Sequence, residues 1–535
     1  MPSNTEITSE SVAYINGSVY TVNSSGPWAS AFIVSQDGFF TQVGSTEEIL
    51  AEAKRSHLVT VDLRESFTMP GIHDAHMHLL FSGLGLTTNA TIGMDATHLN
   101  IADKIKHGSC ACEYMNAYQD WVLASAYNNQ SFPDGIADRK YLDEIFPDRP
   151  VVVSGGAAHA MLLNTAALIQ AGYDVDNEPD AHGAKFFRRP DGSLTGELAE
   201  SAMAKAALAI PAPSRSHVKR ALKHAIRLAH KAGVTSTQEA SSNTILLQVL
   251  NDMEREGSLK LDLSTHIVHE NEWLASESKE SLVKLVEIAN QHSSRHVDTR
   301  FVKIMMDGVP LPPLFTHAEL NEHGDIDHNN IVPKDVADAI LRYDKKGLTI
   351  KIHCTGEGAT RHALDAIEAA RKRNPGGPRH EIAHNSGVHA DDYKRYAPLN
   401  VTAEMSPAEL FVHPITAASE GLMDWNFVRM MDAGAHITIG SDWGAVPDPS
   451  LFEHMAKIVD TVGRGDRVAG GEALCRMMTL NGAMAVNREK ELGSIEAGKI
   501  ANFILLSQDL SKGDFEGAKV LRTYFEGEKV WDASE

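Results

Sequence analysis

Eight compact apolar runs recur between Met69 and Leu480, with stretches of helical periodicity between several of them. They are GIHDAHMH (71–78), GVTSTQEA (233–240), LDLSTHIVHE (261–270), RFVKIMMDG (300–308), GLTIKIHCTG (347–356), RHEIAHNS (379–386), NVTAEMSP (400–407) and AHITIGSDWG (435–444). Short continuous apolar runs suit strands buried on both faces, as in a parallel sheet. SHVKRALKHAIRLAHKAG (216–233) and ATRHALDAIEAARKR (359–373) instead space their apolar residues in the helical manner. Strands alternating with helices predict an α/β chain built as a (β/α)8 TIM barrel, whose functional groups gather at the carboxyl ends of the strands.

One interval breaks the pattern. About 150 residues separate the first run from the second, far more than one βα unit needs. A large insertion therefore follows strand 1, at about residues 81–230. Its texture, in RPVVVSGGAAHAMLLNTAAL (149–168) and DGSLTGELAESAM (191–203), predicts a mostly helical subdomain. Before the barrel, SVAYINGSVYTV (11–22), AFIVSQDGFFTQVG (31–44) and LVTVDL (58–63) alternate as short strands between turn residues. After it, GSIEAGKIANFILL (493–506) and VLRTYFEGEKVW (520–531) are again strand-like. The two chain ends, 1–69 and 487–535, are expected to pair into a small β-sandwich flanking a barrel over 70–486.

The bulk properties exclude several classes. Lys and Arg number 49 against 71 Asp and Glu, a net charge of −22 that argues against nucleic acid or an anionic membrane as partner. No apolar run reaches the roughly 18 residues of a membrane span, and the polar, acidic start has no secretory pattern. The four cysteines, Cys110, Cys112, Cys354 and Cys475, are too few to staple so long a chain. They fit a reducing, cytoplasmic setting, with Cys110-x-Cys112 read as free thiols.

Alternate residues of a strand share a face, so His76 and His78 in TMPGIHDAHMHLL (68–80) converge on one point. Two neutral imidazoles gain from meeting only when a guest such as a metal ion sits between them. Among 26 histidines one such pair also arises by chance, so the other strand ends decide. Lys303 lies inside the fourth run, His353 and His384 close the fifth and sixth, and Asp442 ends the eighth. Singly, each has an ordinary structural explanation, as a hydrogen-bonded core histidine or a turn-capping aspartate. Together at one rim they do not, and a lone buried lysine must be paired or lose its proton. HIVHE (266–270) lacks the order of a zinc protease, and TGEG (355–358) lacks the lysine of a phosphate loop.

In these motifs the sequence resembles the amidohydrolase superfamily, in the branch that includes N-substituted formamide deformylase. The likeness runs from MPGIHDAHMHLL through AAHAMLLNTAAL, VKIMMDG, IHCTGEGAT, HEIAH and GSDWG to GSIEAGKIANFILL. It implies a two-metal site: His76, His78 and Asp442 on the more buried ion, His353 and His384 on the other, and Lys303, carboxylated to a carbamate, bridging them. Zinc suits such nitrogen and oxygen ligands, with manganese, iron and cobalt as alternatives. The implied reaction cleaves a C–N bond of an amide, N-formyl, N-acyl or cyclic amide small molecule by a metal-bridging hydroxide, with Asp442 as general base and acid. His159 is the implied donor to the substrate carbonyl, and Trp443 and Glu197 are candidate pocket residues. The branch usually has an aspartate where this chain has Glu357. The rival functions are a metal-dependent deaminase of a small nitrogenous compound and a non-catalytic assembly protein on the same barrel. The apolar texture of the insertion is read as favouring a homodimer.

Overall fold

The structure is a computed structural model that describes residues 11–93, 95–108, 117–155, 158–407 and 423–535. Eight parallel strands form the central sheet: β1 (Ile72–Met77), β2 (Val234–Ser242), β3 (Asp262–Val268), β4 (Val297–Met305), β5 (Thr349–Cys354), β6 (His380–His384), β7 (Val401–Met405) and β8 (His436–Ile439). They follow one another around the sheet in chain order. Just beyond β8 the sheet meets β1. There the Asp442 amide donates to the His76 carbonyl at 2.8 Å, and the His78 amide to the Trp443 carbonyl at 2.9 Å. All residues of β1, β2, β3, β5, β6 and β7 are buried, as expected of strands with side chains inside the barrel on one face and helices on the other.

The helix Arg215–Lys231 shows how the outer layer is made. Ser214 caps it by accepting from the His217 amide, and Val218, Ala221, Leu222, Ala225, Ile226 and Ala229 form one buried stripe. It packs against the helix Leu79–Thr88, which leaves β1 immediately after His78. Gly83 makes that approach possible, because a Cβ there would lie 2.6 Å from the Ala221 carbonyl oxygen.

The insertion corrects the expectation of a mostly helical subdomain. It is built on a six-stranded sheet in the order Ala184–Arg188, Leu194–Glu200, Ala160–Leu163, Val151–Gly155, Val122–Tyr127 and Ala90–Thr91. RPVVVSGGAAHAMLLNTAAL holds two antiparallel strands, with Val152 opposite Leu163, and only then a short helix, Thr165–Gln170. Strands buried on both faces lose the period-two alternation, so their apolar runs look like buried helix.

The chain ends build two further sheets. One has the order Phe40–Gly44, Ala31–Val34, Val12–Ile15 and Val59–Asp62. The other runs Glu528–Asp532, Val520–Phe525, Phe503–Leu506, Phe67–Pro70, Ser18–Tyr20 and Trp28–Ala29. The first and last parts of the chain are joined where Pro70 pairs with Phe503. Tyr14, Phe32, Phe40, Phe503 and Tyr524 fill the space between the sheets, Phe503 and Tyr524 stacking at 4.3 Å between ring centroids. Among the described residues no helix is long and apolar enough to cross a membrane.

Candidate metal centre

The carboxyl ends of the barrel strands bring the six predicted ligands together. A pocket of about 120 Å³ is lined by His78, Lys303, His353, His384 and Asp442, with His159 from the insertion at its wall. His76 lies beneath it, fully buried. The rings of His76 and His78 are 5.4 Å apart between centroids, those of His76 and His384 4.7 Å, and those of His353 and His384 4.5 Å.

His76, His78 and His353 are each held by one ring nitrogen. His76 Nδ1 lies 2.7 Å from Glu404 Oε2, and His78 Nδ1 lies 2.8 Å from Ser241 Oγ. Both Nε2 atoms therefore point to Asp442 Oδ1, at 3.6 Å from His76 and 3.2 Å from His78. His353 Nε2 donates to the Gly308 carbonyl at 2.9 Å, which leaves its Nδ1 free. A partner on the far nitrogen fixes tautomer and ring orientation, as it does for histidines that bind metal. His384 ends its strand and Asp442 follows its own, both with left-handed backbones, φ 70° and 51°. Such values are uncommon outside glycine and cluster where a site over-determines the chain.

Two buried atoms here have no hydrogen-bond partner, His384 Nδ1 and Asp442 Oδ1. The Asp442 contacts are close but lack hydrogen-bond geometry, as befits acceptors turned to a common point. A bare buried polar atom costs about 1–3 kcal/mol, and a divalent cation satisfies both. The donor set fits: His76, His78 and Asp442 offer ligand atoms within 4.8 Å of one another. His76, His384 and Glu404 form a second such group.

The electrostatics match. Burial, and the charge of Lys303, push His76 well below the ordinary imidazole value. Burial and neighbouring histidines do the same to His353 and His384, so all three imidazoles are neutral, the form able to bind a cation. Burial alone would raise Asp442, but His78, His76 and His384 around it hold the carboxyl well below its usual range. Lys303 is brought down to about 8, first by burial and then by the charge of Lys351. Its Nζ lies 3.2 Å from His76 Nε2.

His159 reaches the pocket from the insertion, its ring 5.2 Å from that of His353. Its Nδ1 is gripped by both oxygens of Glu200, at 3.0 and 3.1 Å, and Thr316 donates to Glu200 Oε1 at 2.8 Å. Burial pulls His159 down, but Glu200 outweighs it and the net shift is upward. Asn164 caps the helix Thr165–Gln170 and accepts from the Val151 amide. Two expected pocket residues do not line the metal pocket itself. Glu197 is three positions before Glu200 on the same strand, faces the other way, and accepts from Tyr127 Oη and Asn129 Nδ2 instead. Trp443 is buried and walls a neighbouring cavity rather than the metal pocket.

Glu404, Glu239 and Glu200 were not singled out from the sequence. For Glu404 the available signal was a glutamate within the short strand VTAEM, a costly placement unless it is paired; Glu239 sits in the polar run VTSTQEASS and Glu200 ends its strand, so neither carried that signal. Glu239 is buried and accepts from the amides of Leu79 and Ser241 on either side of His78. Cys354 and Cys475 are buried free thiols; Cys110, Cys112 and His413 lie outside the described residues.

The signature described as "Amidohydrolase family" matches residues 59–531. The chain belongs to the amidohydrolase family. Membership makes it a metal-dependent hydrolase acting on carbon–nitrogen bonds. It is 26% identical to the N-substituted formamide deformylase of Arthrobacter pascens, over 96% of this chain and 97% of that one. YtcJ of Bacillus subtilis is 25% identical over 97% of this chain and 99% of its own. In fold the chain resembles metal-dependent hydrolases of Pyrococcus furiosus (TM-score 0.69, 20% identity, 94% of this chain and 100% of that one) and Pyrococcus horikoshii (TM-score 0.71, 19% identity, 94% and 99%).

Proposed function

We propose that this amidohydrolase cleaves the C–N bond of a small amide, N-formyl, N-acyl or cyclic amide with two divalent cations, zinc first among them. His76, His78 and Asp442 would hold the deeper ion and His353 and His384 the outer one, with Lys303 as a bridging carbamate. Carboxylation converts a buried cation, which would repel both metals, into an anion, and it needs the unprotonated amine that burial favours at Lys303. Bound there, the cations supply Lewis-acid polarisation of the carbonyl and acidify water near neutral pH.

The rest is the work of this chain's own side chains. Asp442 takes a proton from the attacking water and delivers it to the departing nitrogen. His159, with Nδ1 committed to Glu200, presents Nε2 to the pocket as donor to the carbonyl oxygen as negative charge grows on it. The reading is carried by the convergence of His76 Nε2, His78 Nε2 and the unpartnered Asp442 Oδ1 beside the Lys303 amine.

The test is metal analysis of protein reconstituted with zinc and bicarbonate, followed by a screen of N-formyl, N-acyl and lactam compounds. Two metal equivalents, a carboxylated Lys303 and amine release support the reading. Ammonia release with a single equivalent would move it to the deaminases. For such chemistry Glu357 is poorly placed: it opens the helix Glu357–Arg373 and is absent from the described lining of the metal pocket.

A further inference from the structure

We propose that the substrate amide carries a sizeable, uncharged apolar group, received by a separate chamber beside the metal pocket; this rests on the amide-hydrolase reading above. The metal pocket, at about 120 Å³, has room for the scissile group and little more. Next to it lies a cavity of about 380 Å³, within the ~300–1,000 Å³ range of small-molecule sites. The two share Phe81, Ala158, Gly444 and Ala445, so a ligand with its reacting atoms at Asp442 extends from one into the other.

The described lining is apolar apart from five neutral polar residues, Ser82, Asn89, Thr91, Ser125 and Ser154. Phe81 and Leu86 enter it from the helix that follows β1, and Trp443, Val446 and Pro447 from the loop that follows β8. Phe81 and Leu86 are 41% and 52% exposed, two large apolar side chains on one helix left open to this space. Among the described residues the lining has no Asp, Glu, Lys, Arg or His. In a chain whose residues are 22% charged that is a marked exclusion. A carboxylate, phosphate or ammonium carried into such a space would lose its water and find no counter-charge. An alkyl or aromatic group would gain by leaving water.

Gly444 keeps the passage open. Its φ of +134° suits glycine, and a Cβ there would lie 2.9 Å from His78 Cβ and 3.3 Å from Phe81 Cδ1. The residue is thus wedged between a metal ligand and the chamber wall, where any side chain would press on both.

The experiment uses zinc-loaded protein and two neutral series, N-alkyl acetamides and N-methyl alkanamides, each lengthened from one to six carbons. Every compound has a twin ending in a carboxylate. The expected result is that kcat/KM rises in one neutral series by about fourfold per methylene until the chamber is full, while the twins stay at least about tenfold lower. Leu86→Glu, on an exposed helix face, should flatten that slope with zinc content retained. A length-independent kcat/KM, or twins as good as the neutral compounds, overturns the proposal. Should neither series be turned over, the hydrolase reading fails and calorimetric binding judges the chamber alone. N-hexylacetamide binding more tightly than its twin, and losing that advantage in Leu86→Glu, upholds it; equal binding overturns it.

Discussion

Replacing Glu381 with glutamine should unsettle the barrel far more than the loss of one negative charge from a chain of net −22 suggests. Lys351 and Glu381 lie inside the barrel, both 0% exposed, with Nζ 2.9 Å from Glu381 Oε2 and 2.6 Å from the Ala75 carbonyl oxygen. At that separation their attraction is about 6 kcal/mol for an effective dielectric of ~20. It is set against a desolvation penalty of several kcal/mol for each ion, so the intact pair contributes little net stability. Breaking it is a different matter. Glu381→Gln leaves a buried ammonium with no carboxylate partner, at a cost of about 3–5 kcal/mol. A fall in Tm of about 3–5 °C should follow, read by scanning calorimetry at fixed zinc. Because Ala75 precedes His76, zinc retention during dialysis should fall as well. The decisive comparison is Lys351→Met combined with Glu381→Leu. It removes both charges and should stand within about 1–3 kcal/mol of the parent, the remainder being the Ala75 carbonyl left without a donor. A single variant costing under about 1 kcal/mol, or a double variant no better than the single, would refute the reasoning.

Three further outcomes are expected. Asp442→Asn should keep most of its zinc through the histidines and lose turnover by at least about 10²-fold; retention of most activity would reject Asp442 as the proton carrier. Gly440→Ala would place a Cβ 2.4 Å from His76 Cβ and 2.7 Å from Glu404 Oε1. It should lower both Tm and zinc content, a cost of about 1–3 kcal/mol for overpacking a filled barrel, and normal zinc binding would contradict the geometry. Acid should destabilise the protein through buried neutral histidines: burial lowers His230 from 6.5 to about 4 and His73 and His436 to about 3. Since the unfolded chain binds more protons below pH 6.5, their stabilisation is complete above that value and drains away as the pH falls through about 4 and then 3. His230→Gln, which can still donate to the Lys260 carbonyl that His230 meets at 2.7 Å, should flatten Tm against pH between 6.5 and 4, and an unchanged slope would place the acid sensitivity elsewhere.

The barrel and its six candidate ligands were legible because two independent signals coincide. Apolar runs mark the strands, and a polar residue at the end of a run marks the rim, so His353, His384 and Asp442 could be placed from the linear order alone. The insertion was not legible in the same way. Val151–Gly155 and Ala160–Leu163 are buried strands joined by a short connection, and nothing local separates them from a broken helix. The helix Thr46–Arg55, hidden within a stretch of short strands, did carry a readable mark: Ser45 and Glu48 form a capping box. Glu197 and Glu200 mark the finer limit. The sequence offers Glu197 as a pocket residue, whereas strand parity and the backbone of Glu200, φ 53°, bring Glu200 to His159 instead.

These carboxylates divide the labour of the site. Glu404, Glu239 and Asp442 come from barrel strands or their ends, and they hold His76, His78 and the backbone beside them wherever the barrel is intact. Glu200 belongs to the insertion yet is tied to the barrel by Thr316, in the loop after β4 whose Gly308 carbonyl also receives His353 Nε2. His159, the proposed carbonyl donor, and His353, the proposed outer-metal ligand, therefore hang from one loop, although they come from different subdomains. A displacement of the insertion alone would move His159 and the chamber wall while leaving His76, His78 and Asp442 in place. Substrate choice can thus change in this architecture without disturbing the metal centre. By the same logic, Thr316→Val should lower kcat on amides more than it lowers zinc affinity, because it loosens Glu200 and frees the Val309 amide but deletes none of the proposed ligand atoms. Equal losses in both would mean that loop and ligands move as one body.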